Sequence, residues 1–83
     1  MNEMTAIIKK IKIGKVDYYT ELMVSCTMDM DGAGCVLTFS IPQIKQMMED
    51  CNIYDDVFSL VGKPCQIKGG WGERCEFIRM WKA

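Results

Sequence analysis

From Thr5 to Val16 the chain reads TAIIKKIKIGKV, with Ile7, Ile11 and Ile13 on alternating positions and lysines between them. β-branched residues at period two are the signature of a strand. The adjacent Lys9 and Lys10 interrupt that period, because Ile8 and Ile11 can share a face only if one residue is extra, so the pattern predicts a β-bulge at this point. A second strand follows. Tyr18, Thr20, Leu22, Val24, Cys26, Met28 and Met30 fall on one side and Tyr19, Glu21, Met23, Ser25, Thr27 and Asp29 on the other, and the even positions are expected to face the core. After a turn over Asp31-Gly32-Ala33-Gly34, a third strand alternates Cys35, Leu37, Phe39 and Ile41 with Val36, Thr38 and Ser40, so that strands two and three form a hairpin.

The period then changes. Ile44, Met47, Met48 and Cys51 recur at i, i+3, i+4 and i+7, the stripe of a short amphipathic helix over about residues 42–51. Pro42 suits its first turn, where a missing N–H costs nothing, Ser40 is placed to cap it, and Asn52 to stop it. Val57, Phe58, Leu60 and Val61 suggest one further helical turn pinned to the core, and Gly62-Lys63-Pro64 punctuates it. A fourth strand with Cys65 and Ile67 inward, a turn at Gly69-Gly70-Trp71-Gly72 and a fifth strand from about Arg74 to Trp81 complete an α+β, β-rich order, β-β-β-α-β-β. Two architectures fit it: a five-stranded antiparallel sheet with one helix across it, or an OB-like, partly open barrel, whose plan places a helix between strands three and four. In the barrel the first and fourth strands lie side by side.

Eighty-three residues make a single domain, 1–83, since a chain of this length buries only roughly 60–65% of its unfolded surface. Apolar residues are 49% and charged residues 25%, a balance far from that of disordered chains. The N-terminus lacks the basic-then-apolar plan of a signal peptide, and no run approaches the ~20 apolar residues that span a bilayer, so a cytoplasmic location is expected. The five cysteines, Cys26, Cys35, Cys51, Cys65 and Cys75, are odd in number and without any C-x-x-C pair, which suits reduced thiols packed as small hydrophobes.

Charge adds a spatial prediction. Residues 1–16 carry Lys9, Lys10, Lys12 and Lys15 against Glu3, and residues 57–83 carry Lys63, Lys68, Arg74, Arg79 and Lys82 against Glu73 and Glu76, so each end is +3. The middle, residues 17–56, sets eight carboxylates against Lys45, a net of −7. If the two ends meet in the fold, one face is cationic.

Catalysis is not expected. The chain has no histidine, the commonest general acid–base group, and none of its cysteines has a recognisable nucleophile signature. No metal site or cofactor is expected either: Asp29-Met30-Asp31-Gly32 begins like a calcium loop but lacks its later ligands. Binding is the remaining class. Lys9, Lys10, Lys12, Lys63, Lys68 and Arg74 are the candidates for phosphate charge, with Trp71, at a hairpin tip between Lys68 and Arg74, or Tyr19 for stacking. Trp81, at the end of the last strand, is expected to close the core.

The run IPQIKQMMEDCNIYDDVFSLVGKPCQIK, followed by a glycine-rich turn and a strand ending in Trp81, resembles a group of short proteins encoded by bacteriophages and prophages. The shared form is a helix of the type I-x-x-[ML] and then a D-[VL]-x-x-L-x-G-K segment, here Asp56, Val57, Leu60, Gly62 and Lys63. The resemblance implies an accessory protein of the host cytoplasm that antagonises host defence. Two modes are open: a homo-oligomeric sponge that sequesters a small anionic, nucleotide-like ligand, or an inhibitor of a host defence protein in which Asp29, Asp31, Glu49, Asp50, Asp55 and Asp56 mimic nucleic acid. A nucleic-acid-binding module is the weakest of the candidates, because a net charge of −1 opposes phosphate contacts.

Overall fold

A computed structural model describes residues 2–15, 21–69 and 75–81. Five strands, β1 (Asn2–Lys15), β2 (Leu22–Met30), β3 (Ala33–Phe39), β4 (Pro64–Gly69) and β5 (Glu76–Met80), form one antiparallel sheet in the order β3-β2-β1-β4-β5. Helix α1 (Ile41–Asp50) and a 3₁₀ turn (Val57–Leu60) lie between β3 and β4. The expected order of elements is thus present, and β1 does lie beside β4.

The sheet is open. β3 and β5 are its two edges, and no backbone ladder joins them among the described residues. The sheet is nevertheless curved enough for inward side chains of the two edges to meet: Phe39 of β3 and Phe77 of β5 pack edge to face, with ring centroids 5.1 Å apart, a favoured aromatic geometry.

The β1 register shifts between Ile8 and Lys10, which is the bulge that the paired lysines predict. One extra residue returns Ile11 to the side of Ile8, and both are buried. Ile7, by contrast, points to the opposite face and is 38% exposed. The β2–β3 hairpin turns on two residues, Asp31 (φ 53°) and Gly32 (φ 93°). Both in the left-handed region make a type I′ turn, whose twist matches that of the strands it joins. β3 therefore starts at Ala33, two residues earlier than the alternation suggests.

The chain leaves β3 at Phe39 and enters α1 at once. Ser40 caps the helix reciprocally: its Oγ accepts from the Gln43 N–H at 3.4 Å, and Gln43 Oε1 accepts from the Ser40 N–H at 2.8 Å. Ile41, expected as the last inward residue of the third strand, is instead the first helical residue and is exposed. Ile44 and Met47 are buried on the inner side, Met48 packs against the core, and Asn52 ends the segment with φ 57°. Asp56 caps the 3₁₀ turn through its carboxylate, which accepts from the Phe58 N–H at 2.7 Å, and delivers Leu60, fully buried, onto the sheet.

The core is one cluster. Ala6, Ile8 and Ile11 from β1, Val24, Cys26 and Met28 from β2, Cys65 and Ile67 from β4, and Met80 from β5 line the sheet beneath Ile44, Met47 and Leu60. No polar or charged residue is buried among those described, so apolar burial, worth about 1.5–3 kcal/mol for each large side chain, is what holds helix to sheet. The expectation for Trp81 is corrected: it is 40% exposed and shares the orientation of Arg79, away from the core, while Met80 between them points inward at 2%. No helix among the described residues is long and apolar enough to cross a membrane.

Candidate functional site

One face of the sheet is covered by α1 and the 3₁₀ turn; the other has no element across it among the described residues. The cross-strand registers place its residues in rows. Lys10 stands opposite Thr27, which stands opposite Val36. Lys12 stands opposite Ser25, and Ser25 opposite Thr38. Two lysines are thus backed by three hydroxyls, each row two pleats along from the next, with Lys10, Lys12 and Thr38 exposed and Ser25 and Thr27 half-buried. Further along β1, Ile7 stands opposite Pro64, and the Trp81 N–H donates to the Pro64 carbonyl at 3.2 Å. An apolar corner made by Ile7, Pro64 and Trp81 therefore adjoins the lysine rows. Arg79 lies over the Trp81 ring, its guanidinium carbon 6.0 Å from the centroid, at the limit of cation–π range.

The cations named from the sequence divide into groups. Lys10 and Lys12 come together on the open face. Lys9 is the bulged residue, and its Nζ lies 3.5 Å from the Asp29 carboxylate, so part of its charge is answered on the sheet; an exposed pair of this kind contributes little stability. Lys68 stands on the same face between two carboxylates, opposite Glu3 on β1 and Glu76 on β5. Lys63 is half-buried where the 3₁₀ turn enters β4, its carbonyl accepting from the Ile8 N–H at 3.2 Å. Its charge acts there on Cys51, which burial raises above its ordinary range and Lys63 pulls back. The wide cationic face expected from the two ends is narrower in the fold, because strand pairing interleaves Glu3, Asp29 and Glu76 with the lysines. Tyr19, Trp71 and Arg74 lie outside the described residues.

What the sequence reading missed is the apolar corner. Trp81, expected to close the core, is turned outward because the register shift between Gln66 and Ile67 where β4 meets β5 inserts an extra residue there. Its signal is Phe77 and Met80, inward positions three apart that period two cannot join.

The thiols are chemically quiet. Burial, and then the neighbouring Cys65, pushes the Cys26 thiol up to about 11. Burial and then Cys51 push Cys65 up to about 11, and burial followed by a hydrogen bond with Cys75 takes Cys35 to about 12. Cys65 Sγ also lies 3.8 Å from Met28 Sδ in the core. Thiols held protonated in this way are weak nucleophiles and poor metal ligands at neutral pH. Among the described residues no three cysteines or carboxylates stand close enough to hold a metal ion.

Comparison of the sequence with protein-family models and with curated proteins, and of the fold with solved structures, finds no match in any of the three.

Proposed function

We propose that this protein is a non-enzymatic binding domain whose open sheet face takes a small anionic, nucleotide-like ligand. The observation that carries this reading is the adjacency of unequal parts on that face: the exposed ammonium groups of Lys10 and Lys12 with the hydroxyls of Ser25, Thr27 and Thr38, beside the partly exposed ring of Trp81. Lysine and hydroxyl groups answer phosphate oxygens, and an indole face answers a flat base. Trp81 is two strands removed from β1 and level with Ile7, so its Cα lies on the order of 12–17 Å from those of Lys10 and Lys12, which suits a ligand with a flat end and a charged end met by the long lysine side chains. In this reading such a ligand is held without being turned over. Its effect in a cell is then sequestration, the role that the phage resemblance also implies, and a homo-oligomer would bring more than one such face together.

Calorimetric titration of the whole chain with mono-, di- and cyclic dinucleotides at low salt tests this. The double variant Lys10→Ala, Lys12→Ala is expected to lose at least tenfold in affinity for whichever probe binds. Lys68→Ala is expected to change it little, since its charge faces Glu3 and Glu76. Undiminished binding by the double variant, or no heat with any of the probes, overturns the assignment.

A further inference from the structure

β1 is longer than its partner on one side. β2 accompanies it from Ile7 to Lys15, whereas the β4 ladder ends at Ile7. Ile8 closes that edge, with its N–H donating to Lys63 and its carbonyl accepting from Gly62 at 2.7 Å. Beyond it, among the described residues, no backbone hydrogen bond reaches the β4 side of β1 as far as Lys15. An unpaired edge within a sheet, rather than at its border, is a ready template for one more strand.

Its side chains specify what that strand carries. On the open face the edge presents Lys10 and Lys12; on the helix side it presents Ile11, buried, and Ile13, 42% exposed. An incoming strand places its own side chains about 4.5–5.5 Å from these in alternation, so the complementary segment alternates carboxylates with β-branched apolar residues. A second copy of this chain is a poor occupant, because antiparallel self-pairing sets Lys10 and Lys12 against their own equivalents, and like charges directly opposite one another are destabilising. Lysines on an edge are a common guard against self-association.

We infer that the free edge of β1 from Lys10 to Lys15 takes up an extended acidic segment of another protein by strand addition. The ladder supplies affinity and the alternation selectivity. The inference does not rest on the nucleotide reading of the open face, because a ladder is recognised by its amides and an anion site is not.

The test uses the whole chain and a labelled, acetylated and amidated octapeptide in which glutamate alternates with valine. Fluorescence anisotropy is expected to report binding that weakens at least tenfold between 50 and 500 mM salt. Slowed amide exchange is expected within residues 11–15. Two further peptides carry N-methyl groups on one or the other alternate set of amides, which leaves their charge unchanged. Loss of binding with at least one of them is expected, since a strand bonds through one set only. Lys10→Glu, Lys12→Glu, with its fold checked by circular dichroism, is expected to reject the acidic peptide and accept one alternating lysine with valine. Equal binding of both methylated peptides, no binding of the parent peptide, or sedimentation showing that β1 pairs with a second copy would each overturn the inference.

Discussion

The two faces of the sheet come from the same five strands and differ in nearly every physical respect. The covered face is apolar and rich in sulfur, with Cys26, Met28, Cys65, Met47 and Cys51 in one cluster, and no polar side chain is buried there among the described residues. The open face carries lysines, hydroxyls and carboxylates, interrupted by apolar residues such as Ile7, Val36, Pro64 and Trp81, and by Met23, which stands opposite Gly14 and is 6% exposed. In β1 a single residue separates these two chemistries. Lys9 is the extra residue of the bulge; were the same residues paired in strict period two from Ile8, Ile11 and Ile13 would go to the open face and Lys10 and Lys12 into the core. The comparison teaches that the open face and the core are set by one register, so that an error in either destroys both.

Deleting Lys9 and Lys10 together breaks the comparison outright. Ile11 would then follow Ile8 directly and face the open side, and Lys12 would have to be buried or the β1–β2 ladder abandoned; unpaired buried charge costs several kcal/mol at least against a total stability of about 5–15 kcal/mol. The cooperative thermal transition seen by circular dichroism is expected to vanish, whereas deleting Lys9 alone, which leaves Ile8, Ile11 and Ile13 on one face in plain alternation, is expected to keep it. A native-like melt of the double-deletion variant would show that register is fixed elsewhere.

A smaller asymmetry appears on truncating one large apolar residue from each face. Leu60 is fully buried between the 3₁₀ turn and the sheet, and Leu60→Ala is expected to cost about 2–5 kcal/mol in urea unfolding through lost burial and a residual cavity. Val36, at 63% exposure on the open face, is expected to cost less than ~1 kcal/mol when changed to alanine. Equal losses would mean that something covers Val36.

Alkaline pH acts on the covered face through its thiols. The thiols of Cys26 and Cys65 are raised to about 11 from an ordinary value of 9.0, so the folded protein holds protons there that the unfolded chain releases. Their stabilisation is complete below pH 9 and is lost as the pH rises through 11, by up to about 1.4 kcal/mol per thiol for each pH unit. Unfolding midpoints measured at pH 8, 9.5 and 10.5 under reducing conditions are expected to fall in that order. A flat profile would place these thiols in contact with solvent.

Much of the covered face was legible because its signals are local. The bulge is written in the juxtaposed Lys9 and Lys10, the helix in the spacing from Ile44 to Cys51, its start in Ser40 and its end in Asn52. The open face was less legible because its chemistry is decided across strands. Whether Lys68 is a free cation depends on Glu3, 65 residues before it, and on Glu76, and only the registers bring those three into one row. Trp81 depends on a second register shift, between Gln66 and Ile67, whose sequence signal is two inward residues three apart in a strand of five. Patterning reports which residues avoid water; it does not report which charges cancel.

The smallest expected effect sharpens the comparison most. Lys10 and Lys12 are both exposed and lie on one face of one strand, about 7 Å apart along it, so at low salt they repel one another weakly. Changing both to alanine is therefore expected to leave stability within ~0.5 kcal/mol or raise it slightly, with any gain fading as salt is added. The same substitution on a covered-face pair such as Ile8 and Ile11 would unfold the chain. Thermal melts at 20 and 500 mM salt make the measurement. A clear loss of stability would mean that the lysines are held by structural partners and belong to the fold. Neutrality means that folding makes no demand for two like charges at this place, and leaves binding as the property in which their removal should be felt.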